Sequence, residues 1–366
     1  LKDERASFAK RNRTDILLQI SAGLKWTAMP TLIQNLTAKS SWHMVSRKDK
    51  FEIGNPGLNH FLNRRDAMTA EERGSEKSNE VETDISRRDF IVVSVAAGLI
   101  AATSSASAAA LPVVETDVMI KTPDGTCDAA FIHPTDGSHP GVLIWADAFG
   151  LRPVMRDIGK RIAAEGYSVL VPNPFYRVAK APVFDNISSF NFQNQADMAK
   201  LQSLMGSVNA PGNTEKDAVA FIAFLDAQSQ VNKAKKIGTQ GYCMGGPLVV
   251  KTCAALQNRV GAGGSFHGGG LVTDKPDSPH LLAPKIKARM YFGIASNDDQ
   301  RQPNAKDKLR EAFAAAKVPA QIEVYPAKHG WCVADMPADN TGPIYSKPDA
   351  ERAWGHLVAL YKIGLA

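Results

Sequence analysis

The 366-residue chain predicts an α/β fold, a mostly parallel central sheet with helices on both faces. Beyond residue 111, short apolar runs alternate with amphipathic stretches, the pattern produced when helices cross over between parallel strands. The hydrophobic content of 44% is ample for a sizeable core, and the length suits one large domain or two smaller ones. Chemically distinctive residues recur where the apolar runs end, and in such sheets ligands sit beyond the strands' C-terminal ends.

The elements follow in order. PGVLIWAD (140–147) reads as a buried strand. PVMRDIGKRIAAEG (153–166) sets Val154, Ile158, Ile162 and Ala163 on one helical face, with Gly166 as the stop. YSVLVPN (167–173) is a strand, and TEKDAVAFIAFLDAQ (214–228) a helix capped by Thr214. A strand at 235–242 runs into a helix at 244–257. Strands at 260–268 and 288–296, a helix at 304–316, a strand at 320–326 and a helix over about 349–363 complete the chain.

The N-terminal third differs. Residues 86–110, SRRDFIVVSVAAGLIAATSSASAAA, join Arg87 and Arg88 to a short apolar middle and Ala-x-Ala steps such as Ala106-Ser107-Ala108. That grammar is an export signal, and the arginine pair resembles the twin-arginine type. The apolar run is short for a span of about 20 residues. The expected organisation is an extension over 1–67 that is foreign to the natural protein or disordered, and a polar leader with signal over 68–110. The α/β domain follows over 111–366. Met68 is the expected natural start, and the expected location is periplasmic or secreted.

The formal charge of +6 does not indicate nucleic acid: residues 1–67 hold 12 Lys/Arg against 6 Asp/Glu, and residues 112–366 hold 27 against 24. Lysines of the body fall on helix faces, as in KDKLREAF (306–313), which suits solvated surfaces. Four cysteines with no CxxC or Cys/His spacing suggest neither a disulfide framework nor a zinc site. GAGG (261–264) and GGG (268–270) do not form a phosphate-cradling motif. No metal or cofactor is expected.

Gly241-Tyr242-Cys243-Met244-Gly245 has the form G-x-nucleophile-x-G between a strand and a helix. In such an elbow the glycines admit neighbouring backbone, and the helix N-terminus favours a thiolate. Cys253 and Cys127 lack this frame and read as core; Cys332 could line a site or simply pack. A nucleophile needs a base and an orienting acid, in α/β-hydrolases in the order nucleophile, acid, histidine. Downstream of Cys243, Asn297-Asp298-Asp299 ends a strand and His329 lies in a loop, so the order fits. His267 precedes any acid and reads as a supporting group; His280 is the other competitor.

With these motifs the chain resembles the dienelactone hydrolase family over roughly residues 113–366, through GYCMGG and YPAKHGW. The resemblance implies an α/β-hydrolase fold, Cys243 as nucleophile, His329 as base, and Asp299, four residues before a proline, as acid, with Asp298 the fallback. It implies Asp147 of WADAFG near the resting thiol, with an oxyanion hole from the backbone N–H groups of Ala148 and Met244. It also implies that Arg177 of NPFYRVAK binds a substrate carboxylate. Trp331, next to the histidine segment, is a candidate for substrate binding or support. A second arginine expected four residues after the histidine is Val333 here, which puts the dienelactone substrate itself in question.

The implied chemistry is hydrolysis of a small-molecule ester or lactone, with or without a carboxylate, through a thioester. Enol esters, whose leaving groups are stabilised enolates, suit a cysteine best. A non-catalytic binding protein on the same fold is the alternative, and a thiol-redox role lacks a partner cysteine.

Overall fold

The computed structural model describes residues 110–366; the extension and the signal segment lie outside the described residues. Eight strands form one sheet: β1 (Val113–Thr122), β2 (Gly125–Pro134), β3 (Gly141–Trp145), β4 (Ser168–Pro172), β5 (Ile237–Tyr242), β6 (Val260–Phe266), β7 (Arg289–Ala295) and β8 (Ala320–Tyr325). Their spatial order is β1-β2-β4-β3-β5-β6-β7-β8. Pairing is antiparallel between β1 and β2 and between β2 and β4, and parallel from β4 onward.

Helices α1 (Pro153–Ala164) and α7 (Lys347–Gly364) cover one face; α2 (Gln195–Asn209), α3 (Asn213–Ala227), α4 (Gly245–Ala255) and α6 (Ala305–Ala315) cover the other. A short helix, α5 (Ser296–Arg301), follows β7 directly. Strands β3, β4 and β5 are buried at every position, because a doubly covered sheet leaves no solvent face. One core layer joins Leu143, Trp145, Phe221, Leu248 and Phe292, and the other joins Ile144, Met155, Tyr242, Leu357 and Tyr361.

Each element expected from the apolar runs is present within a few residues. The sequence pattern did not reveal β1, β2 or α2. β1 is an edge strand, exposed at half of its positions, so its apolar alternation is weak. In α2 only Leu201, Leu204 and Val208 are buried. Thr214 does not cap α3: the cap position is Gly212, at φ 78°, and Thr214 is buried inside the first turn.

Candidate active site

Strand β5 ends at Tyr242 and α4 begins at Gly245, so Cys243 occupies the turn between them, at φ 50°. That left-handed conformation is strained for a residue with a Cβ, and strain of this kind concentrates at functional sites. The flanking glycines are required sterically. A Cβ on Gly241 would collide with the Gly245 carbonyl, and one on Gly245 with the carbonyl of Trp145 in β3. The elbow thus presses the start of α4 against the end of the neighbouring strand.

The Cys243 N–H donates to Phe266 O at 3.0 Å and to His267 Nδ1 at 3.1 Å. Its donor capacity is spent away from the sulfur. Among the described residues, the N–H groups of Ala148 and Met244 have no protein acceptor. These are the two N–H groups expected from the sequence as oxyanion donors.

His329 follows β8, and its loop is anchored by Trp331, which is fully buried and stacks on Tyr325 with ring centroids 4.7 Å apart. The His329 N–H donates to Asn297 Oδ1 at 2.9 Å. Its Nδ1 pairs with Asp298 Oδ2 at 2.6 Å. Burial works against a charge on this ring, but its hydrogen bond to Asp298 and the neighbouring Cys243 outweigh it and push its pKa up to about 10. Asp298 thus holds the ring by Nδ1, which leaves Nε2 as its other polar atom.

His267 packs edge-on against His329, centroids 4.8 Å apart, and against Trp331 at 5.1 Å. Burial, followed by the neighbouring His329 charge, lowers its pKa well below the usual histidine value. It stays neutral, with Nδ1 accepting from the elbow. His280 instead hydrogen-bonds Ser278 at 2.8 Å.

One expected position is corrected, and two others are found ion-paired. Asp299 does not face His329; it accepts from Lys306 Nζ at 2.7 and 2.9 Å. Adjacent residues of a helix point about 100° apart, so only one of the two aspartates can face the ring, and that one is the fallback, Asp298. Asp147 is paired with Arg152: its oxygens accept Nη1 at 2.7 Å and Nη2 at 2.9 Å. Arg177 is paired with two carboxylates. It donates to buried Asp217 at 2.7 and 2.8 Å and to Asp124 at 2.7 and 3.1 Å.

The sequence did not disclose Arg152 and Asp335. Arg152 is 4% exposed and bridges Asp147 to Asp335, accepted by the latter at 2.8 Å through both Nε and Nη2. Asp147 Oδ1 also accepts the Phe149 N–H at 2.9 Å. The bridge ties the loop carrying Ala148 to the loop carrying His329. The FGLR sequence after Asp147 was the available signal, since a buried acid needs a cation near it.

A cavity of about 210 Å³ lies on the α1/α7 face, lined in part by Tyr242, Cys332, Arg161 and Trp354. Neither Cys243 nor His329 lines it. Among the described residues, no cluster of three or more His, Cys, Asp or Glu could hold a metal ion, and no helix is long and apolar enough to cross a membrane.

A sharp elbow after a central parallel strand, with acid and histidine following on later strands, defines an α/β-hydrolase. The chain belongs to the dienelactone hydrolase family, which matches residues 127–363. It is 27% identical over 293 residues to a "Putative carboxymethylenebutenolidase" of Methylorubrum extorquens, covering 77% of this chain and 94% of that protein. It is 24% identical to a carboxymethylenebutenolidase of Rhodococcus opacus, covering 55% of this chain and 74% of that protein. Among solved structures it resembles a dienelactone hydrolase-like promiscuous phosphotriesterase from metagenomic libraries. The TM-score is 0.56, at 21% identity, over 69% of this chain and 99% of the other. At that identity the likeness speaks for the fold. The family makes the protein a hydrolase of the ester or lactone type acting on a small molecule.

Proposed function

We propose that the protein hydrolyses esters or lactones through a Cys243–His329–Asp298 triad. The observation that carries this is His329 held at 2.6 Å by Asp298, beside an elbow linked to it by His267, which accepts the Cys243 N–H at 3.1 Å and packs on the His329 ring with centroids 4.8 Å apart. The sulfur of Cys243 reacts as a thiolate, its proton taken up by the His329 imidazole. The thiolate adds to the substrate carbonyl, and the oxyanion accepts the Ala148 and Met244 N–H groups. One such donor contributes about 3 kcal/mol of transition-state stabilisation. As the intermediate collapses, His329 protonates the leaving oxygen and a thioester remains. His329 then takes a proton from water, and hydroxide attack releases the acid and regenerates the pair.

Asp298 keeps the ring in the tautomer and orientation that serve both steps. Because a tetrahedral intermediate expels thiolate more readily than alkoxide, good leaving groups such as enolates and aryl oxides are favoured. The experiment is mass spectrometry of the protein quenched during turnover of an enol lactone or a 4-nitrophenyl ester. An acyl adduct on the peptide containing Cys243, absent in Cys243→Ala, is expected; hydrolysis that survives Cys243→Ala without an adduct contradicts the triad. Cys243→Ser is expected to shift the ratio of lactone to ordinary-ester turnover toward the ester.

Export belongs to the same proposal, supported by the arginine pair and small-residue steps of residues 86–110. Fusion of that segment to a reporter is expected to deliver it outside the cytoplasm, and Arg87→Lys with Arg88→Lys to stop delivery. A reporter that stays inside with the native segment contradicts export.

A further inference from the structure

Beside the oxyanion donor Ala148, the next residue begins an aromatic cluster that the hydrolytic chemistry does not use. The Phe149 ring meets Phe184 at 5.6 Å, Phe190 at 5.2 Å and Phe192 at 6.4 Å between centroids, all edge-to-face. Phe190 also meets Phe184 at 5.5 Å and Phe192 at 4.8 Å. Phe149 is 4% exposed and Phe192 is 52% exposed, so the cluster runs from beside the oxyanion donor out to solvent. Phe184 and Phe190 pack on the same apolar body as Ala148, Cys243 and Met244. Three of the four rings come from one connection, between β4 and α2.

The two arginines that a substrate carboxylate could have used are already paired. Arg177 is neutralised by Asp217 and Asp124, the latter shared with Lys216. Arg152, whose guanidinium lies 5.6 Å from the Phe149 ring centroid, is saturated by Asp147 and Asp335. Lys200 sits over the Phe184 face at 4.5 Å and is exposed to water. A carboxylate brought into the cluster would lose hydration without gaining a buried counter-ion. An aromatic ring would find edges and faces arranged for more edge-to-face contacts.

We infer that the substrate of this site is an ester carrying a neutral aromatic or comparably apolar substituent, received by Phe149, Phe184, Phe190 and Phe192, and not a carboxylate-bearing lactone. The inference rests on the hydrolase proposal above. It assigns the four phenylalanines to specificity and releases Arg177 from a role in substrate binding.

The test is kcat/KM for three esters of one leaving group: 4-nitrophenyl acetate, 4-nitrophenyl 3-phenylpropanoate, and the latter with a carboxylate para on its phenyl ring. The phenylpropanoate is expected to exceed the acetate by about tenfold or more, the scale on which an apolar pocket discriminates. The para-carboxylate is expected to remove that gain. Phe190→Ala and the half-exposed Phe192→Ser are each expected to lower the phenylpropanoate-to-acetate ratio. Equal rates for acetate and phenylpropanoate, or preference for the carboxylate, with turnover still lost in Cys243→Ala, overturns this inference and leaves the hydrolase proposal standing. Absence of any Cys243-dependent turnover overturns both.

Discussion

Nδ1 of His329 and Oδ2 of Asp298 lie 2.6 Å apart, across a gap closed by two different strand-end segments, the one after β7 and the one after β8. The register of this parallel pair, with Ala295 opposite Tyr325, places both segments at one end of the sheet, the end where β5 delivers Cys243. Parallel pairing is thus what gathers three residues that are 55 and 31 positions apart in sequence, as their numbers 243, 298 and 329 show.

Asp298→Asn is expected to lower kcat on the order of 10³- to 10⁴-fold, the scale seen when the acid of a hydrolytic triad becomes an amide. Asp299→Asn loses only a partly exposed pair with Lys306, worth about 0–1 kcal/mol, and is expected to leave kcat within a few-fold. Steady-state kinetics on both variants checks the assignment; the reverse order would return the role to Asp299.

The raised pKa of His329 has a stability consequence with a definite sign. A histidine whose folded-state pKa is about 10, against about 6.5 in an unfolded chain, binds its proton more tightly when folded. Its contribution is fully present below about pH 6.5 and is lost as pH rises through about 10. The difference in melting temperature between the wild type and His329→Gln is therefore expected to shrink from pH 6 to pH 10. A difference that grows over this range would mean the ring is neutral in the folded protein.

Arg152→Met leaves Asp147, 2% exposed, without its counter-ion. Breaking a buried pair in this way costs about 3–5 kcal/mol, which urea unfolding would register as a lower midpoint. Asp335→Asn is expected to cost less, because that carboxylate side chain is 35% exposed. If both variants unfold at the wild-type midpoint, the bridge between the two site loops contributes nothing.

Glycine substitutions separate steric need from chance. Gly245→Ala drives a Cβ into the β3 backbone at Trp145 and Ala146, and overpacking of this kind costs about 1–3 kcal/mol. Gly206→Ala, inside α2 with nothing within 4 Å of the added atom, is expected to gain up to about 1 kcal/mol. Thermal or urea melts of the pair are the measurement.

Much of this architecture was legible in the sequence, and its gaps have physical causes. Central strands such as PGVLIWAD read clearly because both faces are buried, so every position is apolar. Cys243 read clearly because the elbow's steric demand is local and falls on Gly241 and Gly245. The choice between Asp298 and Asp299 did not, since it depends on the rotation of α5 at the end of β7, and proline spacing says nothing of that angle. The ion pairs of Arg177 and Asp147 went unread for a related reason. Their partners Asp217, Asp124, Arg152 and Asp335 come from other loops and helices, and ion pairing between elements leaves little trace in local pattern. The cluster of Phe149 with Phe184, Phe190 and Phe192 was hidden likewise, in a connection without strand or helix period.

The central claim is that Cys243 and His329 form an activated pair, and the most direct measurement is the rate of iodoacetamide labelling at pH 6, followed peptide by peptide. Burial raises the thiol pKa of Cys127, Cys253 and Cys332, so these three serve as internal references. The account predicts rapid labelling of Cys243 alone, and its loss in His329→Ala, where no imidazolium remains to stabilise a thiolate. Labelling of Cys243 no faster than the other three, or labelling indifferent to His329, would contradict it.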